Sequence, residues 1–169
     1  LAHTWVRPAD FLLADLDLSG FDHVVGNPPY VRIEELPEQV LEAYRRNYET
    51  MSGRADLYVP FLERCLKLLS TDGRLGVICT NRFAKNQYGE RLRHLLAHRF
   101  HVRLWLDLEH TQPFDREVDA YPALLAVGRH QNAPTLAAKL DELTGLSDLE
   151  EALASTTTPL PDWVDQHEG

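Results

Sequence analysis

The residues best suited to chemistry are Asn27-Pro28-Pro29-Tyr30. Each proline fixes φ, removes a backbone N–H and turns the preceding residue away from the helical region. The four residues therefore predict a stiff turn presenting an amide side chain, carbonyls with no helix to satisfy them, and an aromatic ring. Directly before the turn, Phe21 to Gly26 is a short β-branched run entered by Asp22 and ended by Gly26, and it reads as a buried parallel strand. Ligands of open α/β sheets bind at the carboxyl ends of such strands. Taken alone, the four residues fit a plain proline-rich turn with a half-buried tyrosine equally well.

The elements that must position this turn follow from periodicity. Pro37 suits a first helical turn, with Leu36, Val40, Leu41, Tyr44 and Tyr48 at helical spacing behind it. The stretch from Glu49 to Gly53, flanked by Arg45, Arg46 and Arg54, reads as a mobile connection. It is equally suited to contacting phosphates or to being a solvated surface. Residues 56–69 form the clearest helix, with Tyr58, Phe61, Leu62, Cys65, Leu66 and Leu69 on one stripe and Asp56 placed as a cap. Thr71-Asp72-Gly73 predicts a turn and Arg74–Thr80 a second buried strand ending at Asn81-Arg82-Phe83. Helix, turn, strand is the crossover unit of a parallel sheet. A helix over Tyr88–Arg99 follows, with a basic face at Arg91, Arg93, His94 and His98 better explained by solvent than by DNA. Strands over His101–Leu108 and Ala120–Arg129 come next, with Trp105 on the opposite face from Val102, Leu104 and Leu106. Beyond His130 the pattern weakens to short helices at Leu136–Leu143 and Leu149–Ala154, then an acidic linker. The division expected is residues 1–130 as the C-terminal portion of a catalytic domain and 131–169 as short helices and an acidic linker toward a further segment.

Composition narrows the function. A chain of 169 residues is the size of one domain, and a formal charge of −9 argues against a stand-alone nucleic-acid binder. Cys65 and Cys79 fall within a helical and a strand pattern and read as small buried apolar residues. No metal-ligand spacing, signal peptide or membrane-spanning run is visible, so a cytoplasmic protein without membrane attachment is expected.

The turn resembles the Asn-Pro-Pro-Tyr motif of adenine-specific, S-adenosylmethionine-dependent DNA methyltransferases. Gly53-Arg54-Ala55-Asp56-Leu57-Tyr58 through Thr80-Asn81-Arg82-Phe83 resembles the same enzymes, particularly large ones tied to restriction-modification or phage defence. The similarity runs from about Ala9 to His130. It implies an α/β fold, part of a class I Rossmann-like methyltransferase sheet, mostly parallel with an antiparallel last strand. It implies S-adenosylmethionine as cofactor and double-stranded DNA with a flipped adenine as partner. By the match, Asn27 and Pro28 accept from the target amine, Pro29 stiffens the turn, and Tyr30 and Phe114 stack on the base. Asp10 would accept from the cofactor's adenine amine and Phe11 would pack on its ring. The Gly-rich turn that receives the methionine end of the cofactor is not found, and the chain opens on Leu1 without an initiating Met. A fragment lacking that motif and a target-recognition segment, and inactive alone, is therefore expected. Methyltransferases acting on protein glutamine or RNA guanine carry similar turns, and a non-catalytic remnant serving as an interaction module is the remaining alternative.

Overall fold

A computed structural model describes residues 6–15, 18–111, 121–129 and 134–140. Five strands form one mixed sheet in the order β1-β2-β4-β3-β5. They are β1 (Phe21–Gly26), β2 (Leu69–Thr80), β3 (His101–Asp107), β4 (Pro122–Gly128) and β5 (Leu136–Lys139). β1 runs parallel to β2 and β3 parallel to β5, while β4 lies antiparallel between β2 and β3. The antiparallel strand expected late in the chain is thus β4, set inside the sheet with a fifth strand following it.

Among the described residues, four α-helices connect the strands: α1 (Glu38–Asn47), α2 (Tyr58–Leu68), the single turn α3 (Arg82–Lys85) and α4 (Glu90–Arg99). The stripe read from residues 56–69 is the buried face of α2, where Tyr58, Leu62, Cys65 and Leu66 are almost wholly enclosed. These meet Leu92, Leu95 and Leu96 of α4 in one cluster with Leu75, Val77 and Cys79 of β2 and Leu125 and Val127 of β4. Each fully buried leucine contributes about 1.5–3 kcal/mol of transfer free energy. Strand partners of the alternate positions, Val25, Gly76, Ala126 and Leu104, share the opposite face, where Val25 is exposed and the other three are partly buried.

Several expectations change on contact with the structure. The strand before the Asn-Pro-Pro-Tyr turn is parallel, and among the described residues it lies at the edge of the sheet, exposed and not buried. Val25 is 81% exposed, and only Val24 packs on the core. Thr71-Asp72-Gly73 does not end the strand before it. Two steps along β1 (Phe21 to His23) are matched by five along β2 (Leu69 to Arg74), so the intervening residues bulge within a continuous strand. Gly73 is required there, because a Cβ would lie 2.5 Å from the Phe21 carbonyl oxygen. Trp105 shares a face with Val102 because the register slips between Val102 and Leu104. It is buried edge-on to Phe83, with ring centroids 5.5 Å apart.

The Glu49–Gly53 connection, expected to be mobile, is pinned. Glu63 is fully buried on α2, and its Oε2 accepts from the Thr50 N–H at 2.9 Å and the Thr50 hydroxyl at 2.7 Å. Lys67, one turn on, pairs with the other oxygen. Leu136–Lys139 is a strand and not a short helix. Its small side chains suit pairing with β3, and Thr135 Oγ1 donates to the Val102 carbonyl at 2.6 Å. The same sheet therefore continues past residue 130. Leu149–Ala154 and the acidic linker lie outside the described residues.

Candidate active site

Asn27 follows the last residue of β1, at the carboxyl edge of the parallel pair β1–β2. Its side chain is exposed and, among the described residues, makes no hydrogen bond, while Pro28 beneath it is buried. Tyr30 is half-buried and its hydroxyl donates to the Ile78 carbonyl of β2 at 3.5 Å. Burial pushes the Tyr30 phenol up to about 12, with the Cys79 thiol adding to the shift, so the ring stays neutral. On the other side, the Leu57 N–H donates to the Val31 carbonyl at 3.2 Å and ties the turn to the start of α2. The turn is therefore anchored at both ends with its amide left open to solvent.

A cavity of about 50 Å³ lies beside it, lined by Tyr30, Arg32, Asp56, Tyr58, Thr80 and Arg82. Asp56 does not cap α2 through its side chain. Its carboxyl instead accepts from the Tyr88 hydroxyl at 3.2 Å, and Tyr88 meets the Tyr58 hydroxyl at 3.1 Å. Burial raises the Asp56 pKa above the ordinary carboxylate value, opposed by Tyr88 and by the Arg82 charge. Arg82 itself lies 5.1 Å over the Tyr121 ring. This carboxyl-and-tyrosine chain was not singled out from sequence, where Asp56 looked like a cap and Tyr58 like core.

The next strand end is built differently. Asn81 is buried, and its Nδ2 donates to both carboxylate oxygens of Asp107, at 3.3 and 3.2 Å, and to Glu109 Oε2 at 3.1 Å. Lys85, at the same strand end, is paired with Glu109 at 2.7 Å. Lys85 first, and Asn81 after it, hold the Glu109 pKa below its ordinary value. The basic side chains of α4 are likewise engaged: Arg93 donates to the Phe83 and Asn86 carbonyls and Arg99 pairs with Glu49.

Asp10 and Phe11 sit in a tight turn ahead of β1. Asp10 Oδ1 accepts from the N–H groups of Leu12 (2.8 Å) and Leu13 (3.2 Å), and Oδ2 accepts from the Tyr44 hydroxyl at 2.9 Å. Phe11 rests on Phe61, with centroids 4.4 Å apart, and the Arg64 guanidinium lies 5.2 Å from its ring centre. A carboxylate offers about four lone-pair sites, so Asp10, with three used and its side chain exposed, retains capacity for one further donor. An exposed acceptor beside a half-buried phenyl ring suits the purine of an adenosyl cofactor. Phe114 lies outside the described residues. Among those described, no three His, Cys, Asp or Glu side chains converge on a metal position, and no helix is long and apolar enough to cross a membrane.

Residues 5–114 match the family described as Eco57I restriction-modification methylase. The chain belongs to this family. Two Type II methyltransferases agree with this methylase chain along most of its length. M.PaeR7I of Pseudomonas aeruginosa is 46% identical over 94% of the chain, and M.XhoI of Xanthomonas vasicola is 49% identical over 76%. The chain spans about a quarter of the length of such curated relatives, 28% and 23% respectively. The fold is that of class I S-adenosylmethionine-dependent methyltransferases. One from Listeria monocytogenes superposes with a TM-score of 0.63 at 16% identity, covering 84% of this methylase chain and 43% of its own. The restriction-modification enzyme MmeI, solved in complex with DNA, superposes with a TM-score of 0.58 at 15% identity, covering 73% and 17%.

Proposed function

We propose that the protein carrying this chain methylates the exocyclic amine of adenine in double-stranded DNA, using S-adenosylmethionine, in restriction-modification or phage defence within the cytoplasm. The observation that carries the reading is the exposed Asn27 amide on a rigid Pro-Pro turn at a parallel strand end, in a chain of a restriction-modification methylase family. Asp10 and Phe11 would hold the cofactor's purine, and the bound cofactor supplies an electrophilic methyl group.

The chain's own residues do the rest. The amine of adenine is a weak nucleophile because its lone pair is delocalised into the ring. Asn27 Oδ1 and the Pro28 carbonyl accept from its two hydrogens and favour the positive charge that develops on nitrogen as the new N–C bond forms and the methyl group's bond to the cofactor's sulfur breaks, its electron pair returning to sulfur. This is preorganised electrostatic stabilisation. Pro29 keeps the carbonyl from turning away. The base must leave the duplex to reach the turn, and Tyr30, with Phe114 opposite, offers it rings to stack on. The extra proton leaves the product amine to solvent.

The test is transfer of a labelled methyl group by the complete protein to duplex DNA, followed by nucleoside digestion. Label in N6-methyladenine is expected. Label on protein glutamine or RNA guanine would move the reading to another amine. Cofactor binding without transfer to any polymer would favour a non-catalytic role.

A further inference from the structure

We propose that Tyr44, Tyr48 and Arg64 are positioning residues for the cofactor's purine, acting through Asp10 and Phe11. The inference rests on the reading of Asp10 and Phe11 as the purine platform and goes beyond it, because none of the three touches the cofactor in that reading.

Among the described residues before β1, no strand or helix holds the segment in place. Only a tight turn organises it internally, with the Leu13 and Ala14 N–H groups donating to the Asp10 carbonyl. Besides Leu12, which is buried in the core, and Phe11 on Phe61, its polar attachment to the rest of the fold comes from three side chains on two helical elements. Tyr44, buried on α1, donates to Asp10 Oδ2 at 2.9 Å. Tyr48, buried at the end of α1, donates to the Leu12 carbonyl at 2.7 Å. Arg64 of α2 donates to the Ala14 carbonyl at 2.8 Å and, with its other terminal nitrogen, to the Leu12 carbonyl and the Tyr48 hydroxyl. The acceptors fall at residues 10, 12 and 14, so every second residue of the segment is gripped from outside.

The arrangement has a chemical consequence beyond holding a loop. Asp10 Oδ1 is filled by two backbone donors, and Tyr44 fixes the rotation of the carboxylate by taking one site on Oδ2. The remaining site is then aimed in one direction, and it can only accept. Burial and the Asp10 contact push the Tyr44 phenol up to about 12, so the donor persists across the working pH range. Arg64 and Phe61 together fix the plane of Phe11. An acceptor held at a set angle to a fixed ring distinguishes a purine bearing an amino group at its edge from one bearing a carbonyl. A loosely held carboxylate would turn to suit either.

The experiment compares binding of S-adenosylhomocysteine and its deaminated form, S-inosylhomocysteine, to the complete protein by calorimetry. For Tyr44→Phe, affinity for the adenosyl form is expected to fall about five- to tenfold, the scale of one ordinary hydrogen bond. The inosyl form should change less than twofold, so discrimination between them shrinks. Tyr48→Phe serves as a second variant, with thermal unfolding of both checked against wild type. Equal weakening of both ligands, or none, would overturn the positioning role and leave ordinary loop packing. Asp10→Ala separates the two levels. If it leaves the adenosyl preference intact, the purine-platform reading itself fails. If it abolishes the preference while Tyr44→Phe does not reduce it, only the positioning inference fails.

Discussion

Two asparagines occupy equivalent places in this fold, one after each strand of the parallel pair, and they have opposite surroundings. Asn27 follows β1 and stands exposed above a buried proline, among described residues that leave its amide alone. Asn81 follows β2 and is enclosed, its amide consumed by Asp107 and Glu109. The same residue type at the same kind of position is thus left open to solvent in one case and built into the frame in the other. What decides is the partner set. After β1 two prolines remove donors and stiffen the chain, whereas after β2 a helical turn brings Lys85 to two carboxylates converging from β3.

The contrast can be broken most directly at Asn27. Asn27→Ala in the complete protein is expected to lose about 10²–10³-fold in turnover, the scale of removing one preorganised acceptor, with unchanged DNA binding and unfolding midpoint. Steady-state methyl transfer and denaturation read both. Asn81→Ala should give the reverse pattern. Two carboxylates lose the amide between them in a buried site, and a stability loss of about 1–3 kcal/mol is expected by urea titration. A loss of turnover without loss of stability there would erase the distinction between the two sites.

Tyr30→Ala sharpens the comparison further, since its ring belongs to the open site and its hydroxyl to the frame. A loss of about 1–3 kcal/mol in capture of an unpaired base is expected, by analogy with base–aromatic stacking. Tyr30→Phe should retain most of that capture, because the 3.5 Å bond to Ile78 is long. Fluorescence of 2-aminopurine at the target position distinguishes the two.

The smallest effect is electrostatic and has opposite signs at the two ends. Glu109 has a folded pKa below its ordinary value of 4.5. The unfolded chain then binds its proton more readily, and Glu109 contributes stability that is lost as pH falls from 4.5 through the depressed value. Asp56 has a folded pKa above its ordinary 3.8. There the folded chain holds the proton more tightly, and stability falls as pH rises from 3.8 through the raised value. Glu109→Gln should therefore flatten the acid limb of a stability–pH curve, and Asp56→Asn should raise stability at neutral pH. Both are readable as shifts in denaturation midpoint, and the reverse sign at either residue would contradict the assigned cause.

The legible parts of the fold were those written in local periodicity. The α2 stripe, the helix at the end of which Arg99 lies and the strand from His101 all appear within a residue or two of their sequence limits, whereas the strand expected over Arg74–Thr80 keeps its end but begins earlier, at Leu69. The Asn-Pro-Pro-Tyr turn was legible because prolines act on their own backbone wherever they stand. What was hidden depends on partners distant in the chain. Thr71–Gly73 looks like a turn by composition, yet pairing with β1 carries it as a bulge. Glu49–Gly53 looks loose until Glu63 grips it. Leu136-Ala137-Ala138-Lys139 has helix-favouring residues, and only the open edge of β3 makes it a strand. Tyr44 and Tyr48 were read as an apolar helical stripe, which they are, but the sequence gives no sign of where their hydroxyls go.

The placement of β4 has a consequence for how the chain is made. β2 and β3 are synthesised first and are both flanking strands of a gap that only β4 fills. At about 5–20 residues per second, the ~20 residues that follow β3 take one to four seconds to leave the ribosome. Until they do, the edges of β2 and β3 carry unpaired backbone groups beside Val77, Cys79 and Trp105. Pairs such as Arg74 with Gly128 span a long stretch of chain, which slows closure further. The nascent protein is therefore most open to misassociation during that interval.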